Sequence, residues 1–154
     1  MLRWWMYLSE TGDINRLMLP EARRLSSFLN TFKLPTTLIY SLDSENNICS
    51  AFWASQVDGV SKHRAAYCGI WTRFDLRGRR FQFDFNLFAY TFAFEFYDAL
   101  LGMTWQQNLL DLHQKLGYSI VGCIPSLHDE DFVYIVHLTR EAFQSSRPSQ
   151  IGRK

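Results

Sequence analysis

Arg77-Gly78-Arg79-Arg80-Phe81-Gln82-Phe83-Asp84-Phe85 carries the chain from an extended segment through a basic turn into a long aromatic one. A strand, a turn rich in free backbone N–H groups and a helix start together make a place to hold phosphates. The conformation of the aromatic segment after Arg80 therefore decides the fold. Phe81, Phe83 and Phe85 alternate with polar residues, as a strand would. Yet Phe81, Phe85, Phe88, Phe92 and Phe96 also recur at helical intervals, and about twenty positions pass with little turn chemistry, far beyond the usual ~5–6-residue strand. Length favours a mostly buried helix over 81–101 ending at Gly102.

Beyond it, residues 103–106 suit a short parallel strand. Residues 108–116 suit a helix whose C′ residue is Gly117. Residues 118–124 and 132–138 read as the last two strands, joined by the Pro125-Ser126-Leu127-His128-Asp129-Glu130-Asp131 loop. Upstream, 36–42 and 48–55 flank five turn residues, Asp43 to Asn47, and form a hairpin. A polar loop from Asp58 to Arg64 leads to a third strand over 65–74, with a bulge expected at Gly69. Residues 4–8 read as a first strand. A helix comes next, with Asp13 or Asn15 near its cap and Pro20 in its first turn; Leu25, Phe28, Leu29 and Phe32 supply its buried face, and Leu34-Pro35 ends it. The expectation is one domain over 1–143 and a flexible basic tail over 144–154.

Composition narrows the function. The 154 residues include thirteen Phe, seven Tyr and five Trp at a net charge of +1, which excludes a disordered chain and disfavours a polyanion binder. Local basic spots on a neutral protein suit one small anionic ligand. Cys49, Cys68 and Cys123 form no CxxC, and His63, His113, His128 and His137 complete no zinc pattern, so no metal is expected. Buried reduced thiols, Cys123 among them in an apolar run, point to a reducing compartment. The apolar start meets Glu10 and Asp13 too soon for a signal peptide, and no segment approaches the ~20 apolar residues that span a bilayer. A cytoplasmic protein without a membrane partner is expected.

The order β–α–β–β–β–α–β–α–β–β, the Arg77-Gly78-Arg79-Arg80 turn and the Leu116-Gly117-Tyr118 junction together resemble the Gcn5-related N-acetyltransferases, the GNAT superfamily. The resemblance runs from Trp4 to Thr139. It implies an α/β (α+β) three-layer domain, with a mixed central sheet of six to seven strands flanked by about three helices. In that family an Arg/Gln-x-x-Gly-x-Gly/Ala loop binds the coenzyme A pyrophosphate. Here Arg77 takes the first position and Gly78 comes after it, while Arg80 and Gln82 stand where the family has small residues. Arg79 and Arg80 either grip phosphate as guanidinium forks or cover the surface near Asp75 and Asp84. The family's pantetheine pairs with strand backbone, matched here by Trp71 and Thr72. Its helical Asn-x-x-Ala-x-x-x-Tyr-x-x-x-Gly-Phe pattern sets His113 at the position of the acid that protonates the thiolate, and Gln106 at that of the asparagine.

The resemblance thus implies transfer of an acyl group from acetyl-CoA, or another acyl-CoA, to a small-molecule or peptide amine. It assigns cofactor contacts to Trp71, Thr72, Arg77, Gly78, Arg79, Arg80, Gln82 and Gln106, and catalysis to His113. The alternative is a non-catalytic assembly or accessory protein docking on a protein partner, like the small GNAT-like proteins of tailed phages, with a virion location. Single-stranded nucleic acid, gripped by aromatics and arginines, ranks last.

Overall fold

A parallel pairing fixes the topology of the sheet. The computed structural model describes residues 1–18, 23–33, 36–57, 64–104, 107–125 and 132–146. Its elements are α1 (Leu2–Glu10), α2 (Ile14–Leu17), α3 (Leu25–Thr31), β1 (Thr37–Leu42), β2 (Ile48–Gln56), β3 (Ala65–Thr72), a 3₁₀ turn (Phe74–Leu76), α4 (Arg80–Phe96), β4 (Ala99–Thr104), α5 (Gln107–Lys115), β5 (Ser119–Pro125), β6 (Phe132–Thr139) and α6 (Arg140–Ser146). The six strands form one mixed sheet in the order β1-β2-β3-β4-β6-β5. β3 and β4 run parallel over Ala65–Tyr67 and Ala99–Leu101, and β6 is antiparallel to both β4 and β5. A parallel pair needs a crossover, and α4 supplies it. This is the α/β architecture the sequence predicts.

The Cα atoms cluster into two compact units: Met1–Ser55 with Ile70–Thr91, and Gln56–Gly69 with Phe92–Lys154. The first is organised on Trp4. Its ring lies 5.3 Å from Phe28, 5.3 Å from Phe32, 6.4 Å from Trp53 and 5.7 Å from Trp71. The strand expected over 4–8 is instead the helix α1. Trp4 and Leu8, one helical turn apart, are both buried, whereas Met6, which a strand would set beside them, is exposed. Packing at a 3.6-residue period overrides the strand preference of aromatic residues. The single helix expected from Asp13 to Phe32 is two, α2 and α3; Phe28 is buried and Leu29 is exposed, and Pro20 lies outside the described residues.

The second unit corrects three boundaries. α4 stops at Phe96, and β4 begins at Ala99 where helix was expected through Leu101. Asp98 is pinned there from a distance. Its carboxylate accepts from the Arg64 amide and Arg140 Nη2, and its backbone pairs with Arg64 and Arg140. Helix α6 continues to Ser146, whose hydroxyl donates to the Leu116 carbonyl, so order runs past the expected start of the tail; residues 147–154 lie outside the described residues. Cys123 is exposed and not core, because β5 is the last strand of the sheet and its side chains face outward; Cys49 and Cys68 are buried. The bulge in this region falls between Ile120 and Gly122. The parallel ladder of β3 to β4 covers Ala65–Tyr67 and stops short of Gly69.

Gly117, at the α5–β5 junction, has φ +93°, and a Cβ there would sit 2.7 Å from the Ala142 carbonyl oxygen. Backbone on both sides leaves no room to relax. Gly117→Ala is expected to destabilise the protein by about 2 kcal/mol or more, read as a lower denaturant midpoint at unchanged slope. A midpoint equal to the wild type would refute this account of the junction.

Candidate functional site

The described site residues fall into two groups. In the first compact unit, β3 ends at Trp71 and Thr72 and leads through Arg73 and the 3₁₀ turn to Arg77, Gly78 and α4. Both strand-end side chains are buried. The Trp71 indole Nε1 donates to Asp13 Oδ2 at 3.0 Å, and Ser50 Oγ donates to Thr72 Oγ1 at 3.0 Å. Arg77 turns inward: Nε donates to the Thr72 carbonyl at 2.7 Å, and Nη2 donates to the same Asp13 oxygen that holds Trp71. Its guanidinium also lies 5.7 Å from the centre of the exposed Phe74 ring. An arginine singled out for phosphate is thus engaged by protein.

Arg73 forms a second clamp. It donates to Asp43 Oδ2 at 2.7 Å and, through two nitrogens, to both oxygens of Asp75. The Asn47 backbone N–H, and after it the Arg73 guanidinium, holds the Asp43 carboxyl down to about 2. Arg73 likewise holds the Asp75 carboxyl below its ordinary value.

Gly78 adopts φ +71°, a turn conformation that favours glycine. Its N–H donates to the side-chain carbonyl of Gln82 at 2.7 Å, a reach-back from the first turn of α4 that works like a capping box. Arg80 sits 3.4 Å from Asp84 with its side chain 91% exposed, and Arg79 is also exposed. A pyrophosphate arriving here would meet two outward guanidinium groups and the N-terminal end of α4. It would have to displace the Gln82 carbonyl to reach the Gly78 amide.

The second group lies in the other unit. His113, in the last turn of α5, packs its ring edgewise on Tyr118 at 4.8 Å. The Tyr118 hydroxyl is 3.6 Å from Cys68 Sγ, and burial pushes that thiol up to about 11. Burial lowers the His113 pKa; the Leu109 carbonyl one turn back opposes this with a smaller effect but does not reach hydrogen-bonding geometry, since Nδ1 is buried without a partner among the described residues. The neutral ring is therefore favoured, and a neutral imidazole accepts a proton before it can give one.

The structure thus brings Trp71, Thr72, Arg77, Gly78, Arg79, Arg80 and Gln82 onto one continuous strand, turn and helix. Gln106 lies outside the described residues, as does the acidic Asp129-Glu130-Asp131 loop. Sequence reasoning missed Asp13 as a partner. It is expected there to cap a helix, but makes no side-chain cap bond and turns to Trp71 and Arg77, 58 and 64 positions away. Tyr118 reads in the sequence as part of the Leu116-Gly117-Tyr118 junction and as a strand start, not as a partner of His113. Among the described residues no cluster of His, Cys, Asp or Glu could hold a metal, and no helix is long and apolar enough to cross a membrane.

No family model and no curated protein sequence matches the chain. Solved structures do match its fold. A spermidine N-acetyltransferase from Vibrio cholerae, in complex with CoA and spermine, superposes with a TM-score of 0.68 at 14% identity, covering 93% of this chain and 92% of that one. A GCN5-related N-acetyltransferase from Kribbella flavida gives 0.64 at 13% identity, covering 89% and 90%. The chain therefore has a GNAT-like fold; identities this low establish nothing beyond it.

The lowered His113 pKa fixes the sign of a pH effect. Below its ordinary value, near pH 6.5, the unfolded chain takes up a proton that the folded ring resists, so folding stability falls with pH in that window and is unaffected above it. His113→Phe should flatten that loss between about pH 7 and pH 5 in denaturation midpoints. Equal slopes for the two proteins would mean the ring is not desolvated.

Proposed function

We propose that the protein is an acetyl-CoA-dependent N-acyltransferase of GNAT type, transferring an acyl group to a primary amine. One observation carries the reading: a strand, a Gly-containing turn and a helix start, flanked by the outward Arg79 and Arg80, stand within a fold shared with N-acetyltransferases. Arg79, Arg80 and the first amides of α4 bind pyrophosphate oxygens, and Gln82 releases the Gly78 amide to join them. Backbone at Trp71 and Thr72 aligns the pantetheine arm; the Thr72 carbonyl already holds Arg77, which leaves the alignment to main-chain groups around it. When bound, the acyl-CoA supplies a thioester carbonyl open to direct attack by an amine. The family resemblance alone gives His113 the part of protonating the departing thiolate; neutral at rest, the ring must first take up the proton that the amine loses. Holding the amine in line accounts for much of the rate. The acceptor class is a small-molecule or peptide amine, and a small polyamine would match the spermidine acetyltransferase of similar fold.

A second reading, an accessory protein without catalysis, is favoured by one specific observation: Arg73, Arg77 and the Gly78 amide already hold protein partners. Its virion-associated form rests on the sequence resemblance alone.

Thermal unfolding with acetyl-CoA separates the two. The enzyme reading expects stabilisation of about 2.7 kcal/mol at one hundred times the dissociation constant, and release of free thiol when spermidine is added. An unshifted transition at millimolar cofactor would leave the accessory reading. Because Gln82 competes for the Gly78 amide, Gln82→Ala should tighten acetyl-CoA by about fivefold, the worth of one hydrogen bond of roughly 1 kcal/mol. Weaker binding in that variant would make Gln82 a ligand contact rather than a competitor.

A further inference from the structure

Helix α4 is buried on one side only. At 3.6 residues per turn, Phe81, Phe88, Phe92 and Phe96 fall in a row on its outer face, and each is more than a third exposed. Phe88, at the centre of the 17-residue helix, is 61% exposed. Phe92 and Phe96 stack on one another at 5.2 Å. Four exposed rings on one helix face are not ordinary monomer surface, since aromatic residues left in a patch mark interfaces. Beside this row runs a polar one that is basic at Arg80, near the start of the helix, and acidic at Glu95, near its end; both residues are exposed.

We infer that this face binds the same face of a second copy of the chain, antiparallel, about a two-fold axis at Phe88. An isologous pairing sets each patch against itself. In the antiparallel arrangement the aromatic row meets the aromatic row and the polar row meets the polar row. Residue 80 of one copy then comes level with residue 96 of the other, so Arg80 stands beside the partner's Glu95 at both ends of the interface. A parallel pairing would put the two polar rows on opposite sides of the seam, where Arg80 meets no acidic residue of the partner at its level. Arg80 can exchange its bond to Asp84, an exposed pair that contributes little, for the partner's Glu95, and this leaves Arg79 and the α4 amides to the pyrophosphate. The same acidic residues, Asp84 and Glu95, disfavour an anionic lipid surface as the occupant.

Sedimentation velocity of the full chain tests this. The expected result is a reversible species of twice the monomer mass, populated at high micromolar concentration and weakened by salt. Phe88→Asp should give a monomer with unchanged circular dichroism. Arg80→Glu and Glu95→Arg should each weaken the dimer by about tenfold, and the double reversal should restore it. The inference is overturned by a wild type that stays monomeric at every concentration, by a dimer that survives Phe88→Asp, or by a double reversal no better than the singles. Binding of the monomer to neutral lipid vesicles, lost in Phe88→Asp, would give the face to membranes instead.

Discussion

One carboxylate oxygen holds the functional corner together. Asp13 Oδ2 accepts both the Trp71 indole N–H and the Arg77 guanidinium, and the Asp13 side chain is nearly excluded from solvent. A charge in that position is tolerable only because it is paired and hydrogen-bonded; removing either donor would leave an acceptor stranded. The consequence reaches past stability. Arg77 also grips the Thr72 carbonyl, so its guanidinium ties the end of β3 to the segment before α2 and fixes where the turn leaves the strand. Gly78 can then take its left-handed conformation, and α4 starts in the direction the crossover needs. The arginine that looks most like a ligand contact is a framework residue.

This changes what can recognise an anion. The sequence offers four arginines between 73 and 80, and counted alone they suggest a strong positive field. The fold answers three of them with carboxylates: Arg73 with Asp43 and Asp75, Arg77 with Asp13, and Arg80 with Asp84. Long-range attraction is therefore small, and recognition falls to short-range geometry, meaning guanidinium forks and backbone amides. The Gln82 cap belongs to the same pattern of local satisfaction. A side-chain carbonyl stabilises the turn in the absence of ligand, and any ligand using that amide must compete with a partner attached four residues away.

How much the sequence reveals depends on the range of the interaction. Local signals are readable: the Asp43 to Asn47 turn, the helical interval of phenylalanines in α4, and Gly117 closing α5. The six-stranded mixed sheet comes from their order, because a parallel pair requires a crossover of about the length α4 provides. Failures come where a distant partner decides. Trp4 and Leu8 read as strand from aromatic preference, yet Phe28, Trp53 and Trp71 make their helical face the buried one. The end of α4 depends on Arg64 and Arg140, remote in sequence from Asp98. The apolar neighbours of Cys123 suggest a core position; the sheet order, which puts β5 at an edge, is not available from composition. The site is legible as a string of residues from Trp71 to Gln82 but not as a network, since no periodicity links Asp13 to Arg77.

The second group shows how burial selects a direction for proton transfer. His113, Tyr118 and Cys68 lie in a chain of ring and sulfur contacts with little water access, and burial disfavours the charged forms of the imidazole and the thiol. It holds the thiol protonated and the imidazole neutral. His113 packs on the Tyr118 ring and Cys68 meets the Tyr118 hydroxyl, so the thiol is not paired with the imidazole as a thiolate nucleophile would be. In an acyl transfer to an amine, a proton must first leave the nucleophile and later reach the leaving group. A group that begins neutral can serve both steps in turn, whereas one that begins protonated must lose its proton before it can help the first. Under the proposed function, a ring whose charged form burial disfavours suits the first of these steps before the second.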